Sequence, residues 1–299
     1  MERKSKMGKQ ARPAFSKKEA KREKESARDK ERLRPAKQNV QKRSDERHEA
    51  ELPDDVIVGR NAVVESLKSG RGINKILVAS GEREGSVREI VALARERGVV
   101  CEMVSRDRIG QIAAGHRHQG VLAYVAPVPY VELDEIISSA RARGREPFIV
   151  LLDELEDPHN LGAILRTADA AGVDGVVILK RRSCPLSATV AKTSAGAIEY
   201  VPVARIGNIA QTLKKLKDDG FWVIGADMDG TQSYYDADYR GAIVLVIGGE
   251  GHGISTLTKK CCDFIVSIPM VGHINSLNAS VAGSILMYEA MKKRTDQVV

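Results

Sequence analysis

No apolar run in this 299-residue chain approaches the roughly 18–20 residues needed to cross a bilayer. The N-terminus lacks the apolar h-region of a secretory signal, so a cytoplasmic protein is expected. Cysteine is scarce: Cys101, Cys184, Cys261 and Cys262 are scattered and form no CxxC pair with metal-ligand spacing. They read as free buried thiols in a reducing compartment. A nucleotide-binding P-loop, GxxxxGK[ST], is missing as well. His116 and His118 share one loop with Arg117, but no third ligand or carboxylate accompanies them, and no metal is expected.

The folded body also lacks an excess of positive charge. The chain carries 47 Lys and Arg against 40 Asp and Glu, and residues 1–52 hold 18 of the former against 10 of the latter. The remainder is close to neutral, at 29 against 30. Residues 1–52 have few apolar side chains and no sustained period, so they bury too little surface to offset their ordering entropy. They are expected to be a basic flexible tail, either a solubiliser or an arm that adds phosphate contacts without reading sequence.

What is present divides the rest in two. Residues 54–126 read as a small α/β unit, with helices over 61–68, 87–97 and 106–114 between strands over 73–79, 99–104 and 121–125. Gly98 is placed to cap the second helix. Residues 115–120 read as a polar loop, solvated or touching nucleic acid. Pro127 and Pro129 open a linker over 127–147 that contains a helix at 133–142. From Phe148 onward strands and helices alternate to residue 299, a βαβ rhythm that predicts a mostly parallel sheet covered on both faces. Strands are predicted at 148–152, 175–179, 198–203, 221–226, 243–247 and 264–268, and helices at 160–171, 187–196, 209–217 and 278–292. Asn160 is expected to be the N-cap of the first of these helices.

Ligands in such folds gather beyond the carboxyl ends of the strands. Three loops lie at such ends: 153–160, 248–253 and 269–276. The middle one, Gly248-Gly249-Glu250-Gly251-His252-Gly253, follows the fully apolar strand Ile243-Val244-Leu245-Val246-Ile247. Its GxGxG pattern sits too late in the domain to be a dinucleotide loop. Glu250 inside the turn repels phosphate, so a neutral or cationic ligand is expected there. In the stretch Asn160-Leu161-Gly162-Ala163-Ile164-Leu165-Arg166, Asn160 and Arg166 stand about 600° and roughly 9 Å apart along a helix, on different faces. The short polar side chains of Ser276, Asn278 and Ser280 exceed what capping one helix requires.

The ordered set NLGAILRTA (160–168), IGGEGHG (247–253) and IPMVGHINSLNAS (268–280) closely resembles the three motifs of the SpoU/TrmH family of RNA ribose 2′-O-methyltransferases, in the SPOUT superfamily. The resemblance covers roughly residues 148–292, and only Asn278-Ala279-Ser280 departs from the commoner Asn-Val-Ser. Residues 54–126 resemble the L30e-like substrate-binding domain often fused upstream. The family implies an α/β fold with a trefoil-knotted sheet, a homodimer with its active site near the subunit interface, and S-adenosylmethionine as methyl donor. It implies cofactor contacts from Gly248, Ile268, Leu277, Thr193, Gly196 and Met270, and catalytic roles for Arg166, Glu250, Asn160, Ser276 and Asn278.

Family accounts make the arginine an activator of the ribose hydroxyl, but a guanidinium with a pKa above about 12 is a poor base. Arg166 is better suited to stabilise the developing alkoxide or clamp the adjacent phosphate, with the proton leaving to an RNA phosphate, Glu250 or water. The domain order most resembles enzymes that methylate a guanosine ribose of 23S rRNA. A tRNA ribose, the rRNA site linked to thiostrepton resistance, or a non-catalytic rRNA-binding assembly factor are the alternatives.

Overall fold

A computed structural model describes residues 52–82 and 85–295. The basic tail expected over 1–52 therefore lies outside the described residues, apart from Leu52. The first elements are strand β1 (Val56–Val58), helix α1 (Arg60–Ser69), β2 (Ile73–Ala79), α2 (Ser86–Glu96), β3 (Val100–Val104), α3 (Arg106–Ile112) and β4 (Val121–Val125). They build a four-stranded sheet in the order β1-β4-β2-β3. Gly98 takes φ 68° behind α2, and Val99 N–H donates back to Ala94, the turn that the sequence anticipates.

Helix α4 (Leu133–Ala142) leads into β5 (Phe148–Asp153), α5 (Pro158–Ala170), β6 (Gly175–Leu179), α6 (Ala188–Thr193), a 3₁₀ turn (Ala197–Glu199), β7 (Val203–Ile206), α7 (Ile209–Asp218) and β8 (Trp222–Ala226). Then come β9 (Gln232–Ser233), β10 (Ile243–Gly248), α8 (Thr256–Cys261), β11 (Phe264–Ser267) and α9 (Ala279–Thr295). The seven strands form one sheet, ordered β7-β6-β5-β10-β8-β11-β9, and every pairing in it is parallel.

The apolar runs decide this arrangement. All six residues of β5 and all six of β10 are buried, because both faces of a central parallel strand are covered. Phe148, Val150, Leu152, Ile243, Leu245 and Ile247 enter one core with α5 and α9, while Ile149, Leu151, Val244 and Val246 enter another with α4 and α7. Each such side chain contributes about 1.5–3 kcal/mol of burial. Leu245 lies opposite Val150 of β5 and Ile224 of β8, so the register places the ends of β5, β8 and β10 side by side.

The apolar core beside α5 and α9 continues into the small sheet, and polar contacts reinforce the join. Glu199 accepts hydrogen bonds from Ser66 Oγ at 2.7 Å and Arg71 Nη1 at 2.8 Å, and the Tyr200 hydroxyl donates to Glu65 at 2.6 Å. The Tyr200 hydroxyl is pushed up to about 12, chiefly by that bond to Glu65. Gly196 is buried with φ 97°, and a Cβ there would come within 2.6 Å of Glu65 Cβ.

These contacts correct two expectations. The strand expected over 198–203 begins only at Val203, because residues 197–199 turn to send Glu199 toward α1. The loop 115–120 is not a solvated turn throughout: His116 is 4% exposed, and its Nδ1 lies 2.9 Å from Lys192 Nζ on α6. Three short elements were not anticipated, β1, β9 and α8. A two-residue strand is below what a period reveals, whereas α8 is announced by Ser255, whose hydroxyl caps Thr258 N–H.

Candidate functional site

The carboxyl ends of β8, β10 and β11, with the loop entering α9, surround a cavity of about 720 Å³, within the usual span of small-molecule sites. Gly248, Glu250, Ile268, Met270, Ser276, Leu277 and Asn278, seven of the residues expected from the sequence, line it together. Glycine is required where β10 gives way to its turn: a Cβ on Gly248 would overlap the Gly253 carbonyl. The turn closes on itself through a bridge between Gly249 and Gly253. Asp153, at the end of β5 and 2% exposed, anchors it from below. Its backbone oxygen accepts from Gly249 N–H at 2.8 Å and its carboxylate from Ser255 N–H at 2.9 Å.

The charges around the cavity are those of a host for a cation. Asp227, Asp229 and Glu250 line it against a single lysine, Lys259. Lys259 Nζ lies 2.8 Å from Asp227 and 3.4 Å from Asp229, and its hydrogen bond to Asp227 raises its pKa. Asp227 also accepts from Ile254 N–H. Glu250 is exposed at the mouth and has no hydrogen-bonding or ionic partner among the described residues. Asp227 and Lys259 went unnoticed in the sequence; the signal was Gly225-Ala226-Asp227-Met228-Asp229-Gly230, a polar turn closing a buried strand.

Asn278 is the N-cap of α9: its Oδ1 accepts from Ser280 N–H at 3.0 Å and Ser280 Oγ at 2.6 Å. Ser276 is exposed beside it. Asn160 is not an N-cap. Asp157 caps α5 by accepting from His159 N–H, and Pro158 opens the helix, since proline loses nothing at that position. Asn160 is thereby drawn one turn inside, 5% exposed, its amide making no hydrogen bond to a described side chain. Arg166 lies on another face of α5, exposed and without an ionic partner among the described residues, and it does not line this cavity.

Thr193 and Gly196 do not line it either. Thr193 Oγ1 donates to Thr189 O at 2.8 Å and Pro158 O at 3.2 Å, tying α6 to the start of α5, and Gly196 is the seat for Glu65. No group of three or more His, Cys, Asp or Glu able to hold a metal occurs among the described residues. No described helix is long and apolar enough to cross a membrane.

Comparison with known proteins places this geometry in context. Residues 147–288 match the SpoU rRNA methylase family, and residues 56–131 match the RNA 2′-O ribose methyltransferase substrate-binding family. A protein of Staphylococcus saprophyticus assigned to the TrmH family of tRNA/rRNA methyltransferases is 48% identical over 80% of this chain and 96% of its own. The Bacillus subtilis protein YacO, assigned likewise, is 46% identical over 80% and 96%. Among solved structures, the SpoU methyltransferase AviRb of Streptomyces viridochromogenes in complex with AdoMet superposes with a TM-score of 0.66 at 26% identity, covering 81% of this chain and 90% of that one. An AdoMet-bound rRNA methyltransferase of Sinorhizobium meliloti gives 0.66 at 25%, covering 79% and 86%.

Proposed function

The chain belongs to the SpoU/TrmH family of RNA methyltransferases, whose reaction is S-adenosylmethionine-dependent ribose 2′-O-methylation, and we propose that its acceptor is a guanosine of 23S rRNA. The observation that carries the reading is the gathering of Gly248, Glu250, Ile268, Met270, Ser276, Leu277 and Asn278 around one cavity. Three carboxylates facing one lysine suit a ligand that bears a sulfonium and an ammonium against one carboxylate. Backbone at Gly248, Ile268 and Leu277, with the Met270 side chain, would hold S-adenosylmethionine. Bound there, it supplies a methyl group activated by positively charged sulfur.

The chain's own task is to orient the ribose and manage the charge on its 2′-oxygen. Of the three carboxylates, Asp227 is held by Lys259, and Asp229 contacts the same lysine. Glu250 is the one left to receive the hydroxyl proton on its carboxylate. Arg166 supplies the planar fork that stabilises the developing alkoxide.

Arg166 does not line its own chain's cavity, and we propose that a second copy delivers it. The exposed side chains of Val281 and Tyr288 stand two turns apart on one side of α9, and α9 packs on α5, which carries Arg166. Such a face fits a symmetric dimer. A knotted passage of the final loop and helix, a cytoplasmic location, and division into a domain over 54–126, a linker over 127–147 and a catalytic domain over 148–299 belong to the same proposal.

Calorimetry with S-adenosylmethionine tests the cofactor assignment, and no measurable heat would remove the enzymatic reading. Mapping ribose methylation in 23S rRNA and tRNA from a deletion strain tests the acceptor. A guanosine unmethylated only in 23S rRNA supports the proposal, and a lost tRNA methyl overturns it.

A further inference from the structure

The carboxyl end of β6 carries a second feature outside the cavity. Lys180, Arg181 and Arg182 follow one another there, all exposed. Arg205, one strand over at the edge of the sheet, bonds the Lys180 carbonyl through Nη2 at 3.1 Å and stacks 4.8 Å from the Tyr130 ring. Lys180 and Arg181 have no ionic partner among the described residues. Arg182 has one, Glu154, at 2.7 Å, in a pair whose side chains remain 71% and 40% exposed.

Both members of that pair occupy the left-handed region, Glu154 at φ 59° and Arg182 at φ 55°. Such a conformation disfavours side chains with a Cβ and persists where surrounding structure enforces it, commonly at working sites. Here Cys184 N–H bonds the Leu155 carbonyl, which joins the β6 loop to the β5 loop. The Glu154 carbonyl in turn packs directly against Gly249 of the cofactor turn. The nearby Asp157 is committed to capping α5.

We propose that residues 180–182, with Arg205, form a tract that holds the phosphodiester backbone of substrate RNA, and that RNA phosphate displaces Glu154 from Arg182. The proposal rests on the RNA-methylating reading above and deepens it by naming where the substrate backbone lies. An exposed ion pair is weak and screened, whereas arginine meets phosphate with two parallel hydrogen bonds, so the exchange favours RNA. Lys180 and Arg181 stand ready without losing any existing pair. The backbone would then run from the sheet edge toward Gly249.

The probe is a fluorescently labelled RNA oligonucleotide of mixed sequence, titrated without S-adenosylmethionine over a range of salt concentrations. In a Lys180→Ala/Arg181→Ala variant, the slope of log K against log salt should fall by about 1.4, with affinity about tenfold weaker at low salt. Glu154→Gln frees Arg182 and should tighten binding several-fold. An unchanged slope in the double variant, or a Glu154→Gln protein that binds no more tightly, overturns the proposal. Absence of methyl transfer by the unaltered protein would instead sink the enzymatic reading, and the binding titration is independent of it.

Discussion

Arg71 and Glu199 meet at 2.8 Å across the join between the two sheets, with side chains only 8% and 5% exposed. Arg71 also donates through Nε to the Ala126 carbonyl, so one guanidinium ties the end of the small sheet to the 3₁₀ turn of the larger one. Truncation to Arg71→Met leaves a buried carboxylate uncompensated, which costs about 3–5 kcal/mol. A fall in Tm of several degrees is expected, partly recovered in the double variant with Glu199→Leu, as measured by thermal unfolding.

Gly196→Ala tests whether that residue serves the join or the cofactor. Its left-handed φ and the approach of Glu65 predict a loss of about 1–3 kcal/mol in stability. Affinity for S-adenosylmethionine should be unchanged by calorimetry. A matching loss of affinity would return Gly196 to the cofactor pocket.

Arg166 is exposed and contributes nothing to packing, so Arg166→Ala should alter stability by no more than about 0.5 kcal/mol. Methyl transfer should fall by about 10²–10³, the cost of removing one donor aimed at developing negative charge. Arg166→Lys should not restore the rate, because the ammonium lacks the planar fork. A lysine enzyme with full kcat refutes the alkoxide clamp.

Asn278 has a structural duty that must be separated from catalysis. Asn278→Ala removes the α9 cap and should cost about 1 kcal/mol. Asn278→Asp retains the cap, so its Tm should stay near that of the parent. If Asp also retains full activity, the amide has no part in orienting the ribose.

Burial pushes the Cys184 thiol up to about 11 and the Cys262 thiol up to about 12, from an ordinary 9.0. At pH 8 their thiolate fractions are about 10²–10³ lower than that of a free thiol, so alkylation by iodoacetamide should be correspondingly slow until the protein unfolds. Because the folded pKa values are raised, this contribution to stability is complete below pH 9 and declines from there toward pH 11–12. Rapid labelling of both thiols at pH 8 in the folded protein would contradict their burial.

The parallel sheet is legible because β5, β6 and β10 each carry an unbroken run of apolar side chains, and strands covered on both faces favour that composition. The glycine turn and its carboxylate were legible as a ligand loop for the same reason. Residues whose roles come from distant partners were not. Nothing local says that Glu199 crosses to Arg71, or that Lys259 meets Asp227. Asn160 lies one turn inside α5, where the sequence suggests a cap, because Asp157-Pro158 is the stronger helix start.

Strand order also sets a timetable for synthesis. β10 lies between β5 and β8, yet Ile243 emerges 95 residues after its partner Phe148. At ordinary elongation speeds of about 5–20 residues per second, β5 therefore waits about 5–20 s with the backbone groups of one edge unpaired. The nascent chain passes that interval as a half-built sheet.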